Sequence, residues 1–363
     1  MAALSILEGL EIDKVYCDFH DDFVIRKKDG KGYRYVFYQV KTNAKKNHNW
    51  TINEIFGINT KIKDQCKQDN SKIRGSFFGK LILHTVVFDE YCNSVVFQTN
   101  VNTSDDVDNL IADIEGGKFE DKFTEVLIDR FNGCYPKEDG NLFNLNEIKR
   151  RLSKLRFETD VQYLKELNNN FEPVARDKIY EFSEIDLDYD ESREILMKLL
   201  DLVERKSSGV IKELTAETID QYAAISIDDL LSILSISKDA YENLLAGGDK
   251  KAIKSASIIQ RTLSATGASE REIEYCSRCK TRWDLWLRKN RHVIVELDLY
   301  AITSKVRLAL ATLGADNNQI SLSSLRNPIK HLVSELESEG LLFDLTEDLI
   351  FGAIFSELVK GKA

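Results

Sequence analysis

Two acidic residues, Asp21 and Asp22, open the apolar stretch Phe23-Val24-Ile25, and a Gln-x-Lys pair, Gln39 and Lys41, closes the next one, Val36 to Lys41. Read as two strands of one hairpin, their side chains alternate faces, so Gln39 and Lys41 share a face that Val40 does not. With Asp29-Gly30-Lys31-Gly32 as the turn, paired residues have numbers summing to about 61, and a slip of one residue would undo that pairing. Asp22 is then expected opposite Gln39, with Lys41 one step beyond. A carboxylate, an amide and an ammonium at one strand edge are what metal-dependent phosphodiester cleavage requires, since water must be activated and charge on the phosphate stabilised. A hard divalent ion takes oxygen ligands. Asp22 supplies the carboxylate, the Gln39 side-chain oxygen and the Val40 carbonyl are further candidates, and Lys41 would hold the water or the phosphate. Because Gln39 is neutral where a second carboxylate could stand, Asp21, Asp18 or Glu8 is expected to compensate.

Charge is distributed unevenly around these residues. The chain of 363 residues carries a net charge of −10, yet between Arg26 and Lys80 there are 14 Lys/Arg against 4 Asp/Glu. A basic segment therefore surrounds the Gln-x-Lys strand while the remainder is acidic, which favours an anionic ligand at that one place. Within it, Lys45, Lys46, His48 and Trp50 form a basic and aromatic loop suited to phosphate contact and base stacking. A solvated loop is the competing reading.

The elements that must position these groups follow from periodicity. Ala2 to Leu10 reads as a short amphipathic helix, Val15 to Phe19 and Phe23 to Ile25 as strands, and Tyr33 to Lys41 as a third strand. Thr51-Ile52-Asn53-Glu54 is a capping-box pattern at a helix start. A helix over 77–88, a buried strand over 94–99 and helices near 106–115 and 119–131 complete the first half. A polar loop from Gly133 to Gly140 marks a domain boundary near residue 140, giving domains of 1–140 and 141–363. Beyond it apolar residues recur at helical spacing, apart from an acidic, partly irregular connector from Asn168 to Asp190. No apolar run approaches the roughly 18 residues that span a bilayer and no signal peptide opens the chain, so no membrane association and a cytoplasmic location are expected.

In its Asp…Gln-x-Lys pattern and its helix, three-strand, helix, strand order, the chain resembles the PD-(D/E)xK nuclease superfamily in its Mrr-like form. More narrowly, Phe37 to Thr42 followed by Trp50 to Gly57 resembles the dsDNA-nuclease domain of bacterial antiphage effectors. Gly79 to His84 and Val96 to Asn100 extend the likeness to about residue 100. The resemblance implies an α/β (α+β) fold with a restriction-endonuclease-like αβββαβ core, followed by a mostly α-helical C-terminal domain for assembly or partner binding. It implies an endonuclease dependent on Mg²⁺, with Mn²⁺ as the alternative, that attacks DNA, double-stranded in preference, in antiphage defence; RNA stays open as a substrate. Relatives serve as CBASS effectors joined to a cyclic-oligonucleotide sensor, while others work beside a HerA-like ring ATPase, often as oligomers. The helical half matches no sensor, which favours a separate, HerA-like partner subunit, and the habit of such relatives implies a homo-oligomer. A non-catalytic DNA-binding or assembly subunit is the competing class. Such domains usually begin with a longer helical segment, so Glu8 is the candidate for the glutamate of that helix, and a missing N-terminal portion stays open.

Other residues invite weaker readings. His20 beside Asp21 could ligate a metal, though a hydrogen-bonded structural histidine is favoured, and His84 reads as core. Cys276-x-x-Cys279 is half a zinc pattern with no second half, and its basic neighbours could lower the thiol pKa, but reduced cysteines on a helix are the leading reading. The basic run from Arg278 to Arg291 with Trp283 and Trp286 could bind DNA or a partner, against a helix with its tryptophans in the core. No P-loop, dinucleotide fingerprint or serine nucleophile elbow is present, so nucleotide hydrolysis and esterase chemistry have no support.

Overall fold

Alternation of apolar and polar residues along the first forty positions sets three strands side by side in the computed structural model. The structure describes all residues except 10, 31, 46, 138–139, 160, 162–170, 184–186, 188, 210, 212, 316–319 and 362–363. The strands are β1 (Ile12–Phe19), β2 (Asp21–Asp29), β3 (Gly32–Lys41), β4 (Cys92–Thr99), β5 (Leu155–Glu158) and β6 (Ala224–Ser226), ordered β5-β4-β3-β2-β1-β6 in one mixed sheet. The β2–β3 hairpin pairs Phe23 with Tyr38, Val24 with Phe37 and so on to Asp29 with Gly32. This is the register read from the turn. β4 runs parallel to β3, so a helical crossover must join them.

That crossover contains α1 (Ile52–Phe56), α2 (Asn70–Gly75) and α3 (Phe77–Val87). Thr51 and Glu54 form the reciprocal capping box expected from their spacing, and Gly57 ends α1 in the left-handed region at φ 69°. Tyr16, Val24 and Phe37 on one sheet face join Phe78, Leu81 and Ile82 of α3 in the core. Val15, Ile25 and Val36 are buried on the opposite face. A Cβ on Gly79 would stand 2.0 Å from the Ile73 carbonyl oxygen, so only glycine lets α3 lie this close to α2. Gly79→Ala is expected to cost about 2 kcal/mol, seen as a lower urea midpoint at unchanged m.

Two features differ from the sequence reading. The opening helix is a 3-10 helix, Ala2–Glu8, closed by Gly9 at φ 69°. The sheet also runs past residue 140, because β5 pairs parallel with β4 and β6 pairs antiparallel with β1. The sheet-bearing unit accordingly comprises Met1–Ala175 with Leu199–Ser226, and the second comprises Arg176–Lys198 with Ile227–Ala363. Within the connector expected to be partly irregular, Phe171–Ser183 is helical and the helix Tyr189–Ser208 starts at its end, while 168–170, 184–186 and 188 lie outside the described residues. Short, isolated strands and helices in acidic sequence carry little periodic signal, and tertiary pairing decides them.

The second unit is helical among its described residues. The helix Glu270–Asn290 holds Trp283 and Trp286, stacked at 5.2 Å and buried at 1% and 7% exposure, so these rings are core rather than a binding face. Lys280 is buried between Asp249 at 2.7 Å and Asp284 at 2.8 Å, and Arg282 pairs with Asp348. Cys276 and Cys279 are free and buried, and burial pushes both thiols up, Cys279 to about 11. The lowered thiol pKa considered from the basic neighbours is therefore overturned by desolvation. No helix among the described residues is long and apolar enough to cross a membrane.

Candidate active site

His20 alone separates β1 from β2, and the chain reverses there with Asp18 at φ 49° and His20 at φ 66°. Asp and His tolerate the left-handed region better than most side chains. The turn is braced by aromatic contact: the His20 ring lies 4.4 Å from Phe19 and 5.4 Å from Phe88. Although the residue remains exposed overall, burial of its ring and then the neighbouring His84 lower its pKa. His20 thus reads as a structural histidine that delivers Asp21 and Asp22 to the strand edge.

Asp22 sits where the β2–β3 ladder has ended. Its Oδ2 accepts the Val40 N–H at 2.6 Å and the Lys41 ammonium at 3.1 Å. The carboxylate therefore continues the ladder with a side chain where the backbone of β2 turns away. In an extended strand the N–H and C=O of one residue project to the same edge, so the Val40 carbonyl also points to the Asp22 side. Lys41 lies over the Phe77 ring at 5.5 Å, which steadies the ammonium without neutralising it. Gln39, on the same strand face as Lys41, is 7% exposed, and its Oε1 is buried with no hydrogen-bond partner among the described residues. An unpaired buried acceptor costs about 1–3 kcal/mol, and a bound cation is one group that would satisfy it.

These donors suit a hard cation. Asp22 offers a carboxylate, Gln39 its orphaned oxygen and Val40 a carbonyl, an all-oxygen set of few protein ligands of the kind that leaves Mg²⁺ with most of its waters. Among the described residues no group of three or more His, Cys, Asp or Glu forms a cage. Asp21 is engaged elsewhere: its Oδ2 lies 3.2 Å from His84 Nε2 of α3, and its Oδ1 accepts the Asp22 N–H at 3.1 Å. Glu8, exposed at the end of the 3-10 helix, makes no hydrogen bond or ion pair with Asp22, Gln39 or Lys41.

Residues of α3 and the β3–β4 loops complete the surroundings. His84, read from sequence as core, is buried and stacks on Phe37 at 4.3 Å, yet it also anchors Asp21. Helical spacing identified its buried face but gave no sign of a partner 63 positions away. His84→Ala leaves the Asp21 carboxylate, only 6% exposed, without that partner, and a loss of about 2 kcal/mol is expected in chemical denaturation. Asn43 and Asn100 exchange hydrogen bonds at 2.8 and 2.9 Å, tying the chain after Lys41 to the end of β4. Trp50 donates its ring N–H to Thr99 at 2.8 Å and sits edge-on to Phe77 and Phe97, so it fastens the loop to the core. His48 lies edge-on to Trp50 and 3.6 Å from Glu54, Lys45 is exposed, and Lys46 lies outside the described residues.

A family model described as Cap4, dsDNA endonuclease domain, matches residues 2–207. Among solved structures, an Acinetobacter baumannii Cap4 SAVED/CARF-domain containing receptor is similar at 11% identity and a TM-score of 0.37, over 64% of this chain and 43% of that one. The same receptor with the cyclic trinucleotide 3'3'3'-cAAA gives 13% identity and a TM-score of 0.38, over 64% and 41%. The chain thus spans about two fifths of the length of the solved structures it matches. No curated protein matches.

Proposed function

The chain belongs to the Cap4 dsDNA endonuclease domain family, and from that footing we propose that Asp22, Gln39 and Lys41 form the phosphodiester-cleaving centre of a Mg²⁺-dependent endonuclease of antiphage defence. The observation that carries this reading is the Asp22 carboxylate held between the Val40 N–H and the Lys41 ammonium, on the strand face of the buried Gln39 oxygen, which has no hydrogen-bond partner among the described residues. In it, the sheet and α3 are a PD-(D/E)xK-type, restriction-endonuclease-like core acting on double-stranded DNA.

Asp22, Gln39 and Val40 would hold the divalent ion, which supplies a water of lowered pKa and charge stabilisation at the phosphate when bound. The chain's own groups do the rest. Asp22 fixes the Lys41 ammonium, Phe77 supports it from below, and the ammonium faces the negative charge that develops on the phosphate. The Asp21–His84 contact and the His20 turn hold Asp22 in register. The segment from Arg26 to Lys80, rich in Lys and Arg, attracts the polyanion to this edge.

The helical second unit is assigned to assembly with a partner, for which a HerA-like ring ATPase is the proposed class, in a homo-oligomer. The test is incubation of the purified protein with plasmid DNA in Mg²⁺ or in EDTA, alone and with the products of the adjacent genes. Nicking or linearisation in Mg²⁺ that EDTA suppresses is the expected result. Intact plasmid in every mixture would leave a non-catalytic DNA-binding or assembly subunit as the surviving reading.

A further inference from the structure

Beside the candidate site, on the same face of the sheet, lies a cavity of about 200 Å³. That is several times the roughly 30 Å³ a water occupies in the liquid. Tyr16, Val24 and Phe37 are consecutive cross-strand partners, with Val24 two residues after Asp22 along β2 and Phe37 two residues before Gln39 along β3. Two residues of a strand span about 7 Å, so the cavity opens within the reach of one nucleotide from Asp22. Phe37 links the two places directly, because the His84 ring that anchors Asp21 stacks on it at 4.3 Å.

The walls are aromatic. Phe19, Tyr35, Phe37 and Phe88 line the cavity, and His20 and the exposed Ala216 stand at its margin. Its floor is polar. The Tyr16 hydroxyl donates to Asp220 Oδ1 at 2.8 Å, Lys14 pairs with the same carboxylate, and Arg26 Nη1 lies 3.9 Å from it. Arg26 is also held in a two-bond fork by Asp13, at 3.0 and 2.8 Å. Every cation at the floor is therefore matched by a carboxylate, which disfavours a phosphate there. What the floor does present is a carboxylate beside a guanidinium, under aromatic rings tilted to one another, Phe88 at 47° to Tyr35 and 45° to Phe37. Aromatic walls above a carboxylate and a guanidinium suit a nucleobase and its hydrogen-bonding edge.

We propose that this cavity is a nucleobase subsite that takes one unstacked base of the DNA held at the Asp22–Lys41 edge. It rests on the nuclease reading only for its placement beside the scissile phosphate. A base enters most readily where it is already unpaired, because extrusion from a matched duplex costs stacking and pairing. The subsite would set which nucleotide lies next to the cut and favour mismatched, gapped or frayed DNA.

The test uses the full chain in EDTA, with fluorescence anisotropy of two labelled duplexes of equal length, one fully matched and one carrying a single unpaired base. Wild type is expected to bind the unpaired-base duplex about tenfold more tightly, the scale of one good base contact. Ala216→Trp, an exposed position that plugs the cavity, is expected to bring the two affinities within about twofold. Asp220→Asn keeps the shape of the floor while exchanging an acceptor for a donor, and is expected to change which unpaired base is preferred. Equal affinity of wild type for both duplexes, or an advantage that survives Ala216→Trp, overturns the proposal. Cleavage in Mg²⁺ is measured on the same preparations. Cutting without any unpaired-base advantage removes the subsite and leaves the nuclease; an advantage lost in Ala216→Trp without cutting by any form keeps the subsite and removes the nuclease.

Discussion

Purified Lys41→Ala protein is expected to lose Mg²⁺-dependent cleavage of plasmid DNA by a factor of at least about 10²–10³, with an unchanged thermal midpoint. The two halves of that expectation have separate causes. The Lys41–Asp22 pair is 3.1 Å apart and partly exposed, with side-chain exposures of 28% and 40%. Pairs of this kind contribute about 0–1 kcal/mol to folding, so removing the ammonium barely moves stability. In the proposed reaction the same ammonium would face charge that grows only in the transition state, where a fixed donor is worth far more. Asp22→Ala is expected to match the loss of activity, since it releases the Val40 N–H and Lys41 together. Lys41→Arg serves as the control for charge without position, because a planar guanidinium cannot replace a compact ammonium at the same point. Full cleavage by Lys41→Ala would remove Lys41 from the centre.

The second large effect is expected at Gln39, where thermal denaturation is scanned with and without Mg²⁺. The Oε1 atom is buried and without a hydrogen-bond partner among the described residues. In the absence of divalent ion, Gln39→Leu removes that orphan and is expected to be about 1 kcal/mol more stable than wild type. Added Mg²⁺ should reverse the order. A ligand at a hundred times its Kd stabilises the folded state by about 2.7 kcal/mol, so wild type shifts upward and the leucine variant, lacking one oxygen ligand, shifts little. Gln39→Glu restores a second carboxylate and is expected to shift at lower Mg²⁺ than wild type. An equal Mg²⁺ shift in wild type and Gln39→Leu would take Gln39 out of the ion's surroundings. Both readouts precede catalysis, so they test the donor set without depending on activity.

The hairpin shows how far local pattern reaches. The turn at Asp29 to Gly32 fixed the pairing of Phe23 with Tyr38, and the register carried Asp22 to the Gln39–Lys41 edge. Strand period and turn length are local properties, so they were legible. The capping box at Thr51 and Glu54 was legible for the same reason. Trp50 illustrates the limit: its basic surroundings suggested an exposed stacking ring, but Thr99, Phe77 and Phe97 hold it against the core. Trp283 and Trp286 in the second unit are buried likewise, where composition allowed either outcome.

By itself the sequence determined the strand pair, the faces on which Gln39 and Lys41 lie, and the concentration of basic charge around them, because each depends on neighbours within a turn or a strand length. Only the tertiary structure decided that Asp22 captures Val40 and Lys41, that His84 anchors Asp21, and that the buried Gln39 oxygen meets no hydrogen-bond partner among the described residues. It also decided that β6 and Asp220, some two hundred positions from Tyr16, close the sheet and floor the aromatic cavity. The physical reason is that periodicity reports which way a side chain faces, whereas the partner it meets there is brought by chain closure, which leaves no trace in local spacing.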